Sequence, residues 1–258
     1  MLTVKKDDLS CMFEVDHSNK SIKNIDDIFG VINTPAYKDM QPRHFPGIGK
    51  KKDERKKIFL KLADKFKSYF ETEDFTSTES FDKWHKKQCD FLKKEFRKLS
   101  NDFGNKMTRG KAQKLINMTF KHLFLFGDAE NKYFEHCHVV LDSYILEWAR
   151  KNIGLEIHEA WSNISDDYDA IQQSFRDKLK TIERFKDIPP FLAEYYIWEE
   201  AKLDSISGEL LVSLSSLQKT KLLLKDDYIR NRFCNDDLRS QIVKLKIELE
   251  TIDMILNK

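Results

Sequence analysis

Apolar residues recur at intervals of three and four from Ile58 to Leu256, the period at which a helix places side chains on one face. Ile58, Leu62, Phe66 and Phe70 form the first stripe. Phe81, His85, Cys89, Leu92, Phe96 and Leu99 form the second, with Thr76 and Glu79 spaced as a capping box at its start. From Thr108 to Phe126 the pattern changes: Leu115, Ile116, Met118, Phe120, Leu123, Phe124 and Phe126 cover almost every side, as expected of a helix buried in the middle of a bundle. Further helices are expected over Leu141 to Asn152 with Gly154 as C-cap, from a Ser162 or Ser165 cap to about Phe185, from Phe191 to about Asp204, and from Ile206 to Lys225. The last segment carries Leu238, Ile242, Leu245, Leu249, Ile252 and Leu256, a heptad-like seam. With 19 Phe but only 8 Gly and 5 Pro, turn formers are too few for a many-stranded sheet. The expectation is therefore an all-α fold, a multi-helix bundle with a buried central helix and a heptad-like C-terminal helix.

Three of the prolines, Pro35, Pro42 and Pro46, fall with Gly30, Gly47 and Gly49 before residue 50. Residues 1–50 are thus expected to be an irregular segment packed on the body, 51–204 the helical core, and 205–258 a C-terminal helical hairpin belonging to the same domain. The seam at 238–256 packs inside that hairpin or serves as an interface for a protein partner. At 258 residues the chain is long enough to fold on packing alone, without disulfide or metal staples. Cys11, Cys89, Cys137 and Cys234 form no CxxC pair, and charges in MLTVKKDDLS stand where a secretory leader is apolar, so reduced thiols in a cytoplasmic protein are expected. The richest apolar stretch is broken by Arg109, Lys111, Lys114 and Lys121, which argues against a membrane partner.

Net charge is +2, too small for a global field to drive the protein onto a polyanion. Basic character is local, in the run from Lys50 through Lys51 and Lys52 to Lys57 and in the segment from Arg109 to Lys114. The excess of lysine over arginine fits an AT-rich bacterial genome. His85 and Cys89 stand four apart on one helix face, and His136 and His138 flank Cys137 in a turn, so four ligands for zinc can be counted. The spacing matches no zinc signature, and packing of a small thiol among Leu92 and Phe96 is the competing explanation. No metal and no cofactor is expected. Gln113, Asn117 and His122 interrupt the central helix and should form a hydrogen-bonded network or line a pocket. GxSxG, HExxH, GxGxxG and P-loop spacings are absent, as is the Arg, four residues, His signature of helical RNase toxins.

Gly47-Ile48-Gly49-Lys50 after Phe45-Pro46 resembles the hairpin of a helix-hairpin-helix element, with a proline-glycine turn as the alternative. Gly110-Lys111-Ala112-Gln113-Lys114-Leu115, followed by Val139-Val140-Leu141-Asp142, resembles the core of helix-hairpin-helix DNA glycosylases. That resemblance implies Gly110 as the hairpin's second glycine, Ala112 as a packing alanine and Asp142 as the catalytic aspartate supporting base excision. A plain N-cap is the other reading of Asp142. Phe81-Asp82-Lys83-Trp84-His85 and Gln113 to Thr119 also look like a family of uncharacterised bacterial proteins, which implies no activity. Three functions follow as expectations. The first is a helical binding protein with nucleic acid as its partner through Lys50, Lys51, Lys52, Arg109, Lys111 and Lys114. The second is a divergent glycosylase-like enzyme using Asp142. The third is a protein-interaction module assembling through residues 238–256.

Overall fold

The computed structural model describes residues 21–72, 77–127 and 130–205. The Thr76 cap, the helix expected from Ile206 and the seam at 238–256 lie outside the described residues. The chain divides into two compact units, Met1–Lys202 and Leu203–Lys258, and the described elements belong almost wholly to the first. Helix packing accounts for the architecture, with no strand element among the described residues.

The amino-terminal segment is more regular than its prolines suggest. Helix α1, Ile25–Val31, is capped by the Asn24 side chain and continues through a π-helical turn, Ile32–Ala36, into Tyr37–Asp39. Pro35 lies inside the π turn, the widened geometry that accommodates a residue with no N–H to donate. Ile28, Val31, Ile32, Ala36 and Met40 are all buried, so a helical apolar stripe outweighs the local breaker. Gly47 takes a left-handed φ of 86° and turns the chain into a 3-10 segment, Ile48–Lys51, ahead of α2, Lys52–Thr72.

Helix α3, Thr78–Leu99, is capped by Ser77, whose hydroxyl accepts from the Ser80 N–H. Lys61 reaches Glu95 and Lys65 sits over the Phe91 ring, so α2 and α3 run antiparallel with the start of α2 beside the end of α3. Ser100 then caps the short α4, Asn101–Lys106, and Thr108 caps α5, Arg109–Phe126. An extended buried segment, 137–142, leads to α6, Ser143–Ile153, which ends at Gly154 with φ 58°. Helix α7 is Tyr168–Leu179, and α8 spans 190–205.

The expected start of α7 at Ser162 or Ser165 is displaced to Tyr168, and the reason is a backbone commitment. Ile164 O accepts the Gly110 N–H at 2.9 Å and Ser162 O accepts the Thr108 hydroxyl at 2.5 Å, so this stretch is tied to the start of α5 and cannot coil into its own helix. The early stop at Leu179 has a similar cause, since Thr181, Ile182, Phe185 and Ile188 bond carbonyls three residues back in successive turns.

Two apolar clusters make up the core, and the central helix lies within the first of them. One gathers α1, α2, α3 and α5 around Phe120, whose ring lies 4.8 Å from Phe66, 5.5 Å from Tyr69, Phe81 and Trp84, and 6.0 Å from Phe70. Tilted and edge-on contacts at these separations add to area burial. The other joins α6, α7 and α8 through Trp148, Tyr168, Phe175, Phe185 and Ile197.

Gly110 packs directly on the backbone of Trp161, because a Cβ there would stand 1.9 Å from Trp161 O, whereas a Cβ at Gly30 would meet nothing within 4 Å. Gly110→Ala should therefore destabilise by on the order of 2–4 kcal/mol through forced backbone separation. Gly30→Ala, inside α1, should add about 0.5–1 kcal/mol from helix propensity. Urea titration of both variants checks the contrast, and equal effects would refute it.

Candidate functional site

The densest polar chemistry in the described residues lies between α3, α5 and α7, around the extended segment 137–142. A buried extended segment needs partners for its backbone groups, and here no sheet supplies them. Two glutamine side chains do. Gln113 donates to Leu141 O at 3.0 Å and accepts from its N–H at 3.4 Å; Gln172 does the same for Val139 at 2.8 and 3.1 Å. Asn117 donates to Gln113 Oε1, the Tyr168 hydroxyl and Val139 O at 2.9, 3.1 and 3.3 Å, and its own oxygen meets His85 Nε2 at 3.0 Å.

His138 Nε2 lies 2.7 Å from Asp82 Oδ1, and Arg176 grips both oxygens of the same carboxylate at 2.6 and 2.9 Å. An ionised Asp82 can only accept, so His138 carries its proton on Nε2 and its Nδ1 accepts from the Tyr168 hydroxyl at 2.9 Å. Burial tends to raise the Asp82 pKa, but the bonds from Arg176 and His138 outweigh it and hold the carboxyl well below its usual range. Burial pushes His138 down to about 4, and burial together with the charges near His138 and Arg109 lowers His85. The His85 ring stacks on Tyr168 at 5.3 Å and contacts the Cys89 sulfur through Nδ1 at 3.8 Å. Cys89 is pushed up to about 12 by burial, so its thiol is unreactive at neutral pH.

Three of the four histidine and cysteine residues with metal-ligand chemistry thus converge, but their ring nitrogens are already engaged. His136 sits apart against the Thr78 hydroxyl at 3.2 Å. Among the described residues no three His, Cys, Asp or Glu side chains are arranged to hold an ion.

The other residues singled out from the sequence are placed as follows. Asp142 caps α6 by accepting from Ile145 N at 3.0 Å, while its other oxygen accepts from Lys114 at 2.8 Å. Lys114 also lies over the Trp161 ring, and Lys111 donates to Lys106 O at 2.9 Å beneath Phe45. Arg109 pairs with Asp169 at 2.8 Å and covers the Tyr168 ring, with its side chain 11% exposed. The Gly110 N–H is taken by Ile164 O. The basic groups of α5 therefore serve interior contacts, as the all-round burial of that helix demands. Lys50 and Lys52 are exposed, and Lys51 pairs with Glu54 at 3.2 Å.

A surface that adjacent-residue charge counting misses lies along α3. This helix buries Phe81, His85, Gln88, Cys89, Leu92, Glu95 and Phe96, which leaves Lys83, Lys86, Lys87, Lys93, Lys94, Arg97 and Lys98 exposed with Asp90 as the one exposed acid between them. Lys83 pairs with Glu79, and Lys98 and Lys61 share Glu95. Lys86, Lys87, Lys93, Lys94 and Arg97 make no ion pair among the described residues. The signal was basic pairs at helical spacing, Lys86-Lys87, Lys93-Lys94 and Arg97-Lys98, rather than a contiguous run.

Beside this face opens a cleft of about 300 Å³, lined on the α3 side by Lys86, Cys89, Asp90 and Lys93 and on the other by residues from the starts of α5 and α7. Comparison of the chain with protein-family models, curated proteins and solved structures gave no match.

The buried histidine sets a pH dependence. In the unfolded chain His138 takes its proton near pH 6.5, whereas in the fold it resists until about 4, so between those values the unfolded state binds more protons. Stability should be constant in this respect above pH 6.5 and should fall by on the order of 3 kcal/mol as pH drops to 4. Urea midpoints at pH 8, 6 and 4 measure it, and His138→Asn should lessen that slope, with the part due to His85 remaining.

Proposed function

We propose that this chain is a binding protein whose partner is the phosphate backbone of a nucleic acid, held along the exposed face of α3. The observation that carries the reading is the segregation of charge: five cationic side chains with no ion pair among the described residues, from Lys86 to Arg97, on a chain of net charge +2. From Lys83 to Lys98 the face is about 22 Å long at 1.5 Å per residue, a length that matches about six base pairs of duplex.

The chemistry of the face favours a polyphosphate over other acidic surfaces. Its apolar side is consumed by the core, so nothing remains to insert into a lipid layer. It also lacks the exposed aromatic and apolar centre on which protein interfaces depend, and lysine is depleted in such centres. Lys50, Lys52 and Lys57 are exposed as well, around the start of α2, and are the second set of cations offered to phosphate. Arg109, Lys111 and Lys114 are committed to interior partners and contribute through the fold rather than by touching phosphate.

Fluorescence anisotropy with a 20-base-pair duplex at several salt concentrations tests the reading. Affinity should fall with log salt at a slope of about −4 to −5, one counterion per engaged phosphate. Lys87→Gln with Lys94→Gln should lessen that slope by about 2, since both side chains are exposed and the fold does not need them. Lys114→Gln should lower thermal stability instead. Absence of binding at low salt, or binding indifferent to the α3 substitutions, would overturn the proposal.

A further inference from the structure

The cleft beside α3 shares two side chains with the basic face and differs from it in sign on its far wall. Lys86 and Lys93 stand on the α3 side, one turn either side of Cys89 and Asp90. Opposite them stand Asn105, Thr108, Ser165, Asp166 and Asp169, with Met107 and Cys89 supplying apolar surface. Arg109 holds Asp169 in place, and the Arg109 Nε is buried without an acceptor. The α3 wall sets two lysines against Asp90, and the far wall sets two aspartates against Arg109. The cleft is thus net cationic on one side and net anionic on the other, which suits a ligand that carries a negative group at one end and hydrogen-bond donors at the other.

We propose that this cleft seats one unpaired nucleotide whose base bears an exocyclic amine, its phosphate against Lys86 and Lys93 and its base edge toward Asp166 and Asp169. The proposal rests on reading the α3 face as a nucleic-acid surface, because that face delivers a strand to the mouth of the cleft. A volume of about 300 Å³ admits a single nucleotide and no stacked pair. Carboxylates accept from the amine of cytosine, as they do in groove readout, and an unpaired base exposes that edge fully. Thymine and uracil present a carbonyl at the same position, which a carboxylate repels. The pocket therefore selects by charge at one atom of the base.

The test compares single strands of dC and dT of equal length, a duplex of the same length, and the mononucleotides CMP and UMP. Wild-type protein should bind the dC strand about tenfold more tightly than the dT strand, the discrimination typical of one good base contact. CMP should raise the melting temperature more than UMP. Asp166→Ala, at an exposed position that the core does not use, should erase both differences while leaving duplex affinity unchanged. Ser165→Trp, which fills the mouth, should act in the same way. Equal binding of dC and dT, or a preference that survives Asp166→Ala, overturns the cleft proposal and leaves the α3 reading standing. Loss of all polymer binding with CMP stabilisation still present and sensitive to Asp166→Ala overturns the α3 reading and supports the cleft as a nucleotide site. Failure of every nucleic acid and mononucleotide to bind overturns both.

Discussion

The buried hydrogen-bonded network in which Asn117, Gln172 and His138 meet the Tyr168 hydroxyl is the constraint around which the described structure is arranged. A buried amide, hydroxyl or imidazole costs several kcal/mol when left unpaired, so these groups must meet in one geometry or disrupt the core. Asn117 belongs to α5, Tyr168 to α7 and His138 to the extended segment between them. Asp82 and Arg176 close the outer end by tying α3 to α7. The two glutamines supply segment 137–142 with the backbone partners that a sheet would otherwise give, and so a chain crossing the interior remains satisfied in an all-helical fold.

The same demand explains the charges of the central helix. Lys114 meets Asp142, Lys121 meets Glu194 at 2.8 Å, and Lys111 meets a backbone carbonyl. Burial raises the Glu194 pKa, although the Lys121 charge works against that shift. Pairs of this kind contribute little net stability compared with apolar packing, but removing one partner strands the other. They fix which neighbour each face of α5 accepts, and they account for basic side chains that never reach the surface. An exposed cationic face is presented by α3, which buries only its other side in the core.

Much of the architecture was legible from the spacing of apolar residues. The stripes from Ile58 and Phe81 and the all-round pattern from Thr108 correspond to α2, α3 and α5, and Gly154 ends α6 as its position implied. Local spacing did not reveal where α7 begins, because that boundary depends on a contact between Gly110 and Ile164, far apart in sequence. Gln113 and Asn117 stood out as polar residues on an apolar helix, yet Leu141, the partner of Gln113, lies 28 residues away and Tyr168, a partner of Asn117, lies 51 residues away, and neither carries a local mark. The basic face of α3 was present as lysine pairs at helical spacing, and was hidden by the search for contiguous runs.

Tyr168 is the hub of the network, since its hydroxyl meets His138, Asn117 and Gln172. The unfolding free energy of Tyr168→Phe is therefore the most direct measure of whether the polar network organises the fold. Phenylalanine keeps the ring stacked on His85 and removes only the hydroxyl, leaving His138 Nδ1 without a donor. A loss of about 1–3 kcal/mol in urea with an unchanged m value is the predicted result. A change within about 0.5 kcal/mol, as for an exposed position, would contradict it.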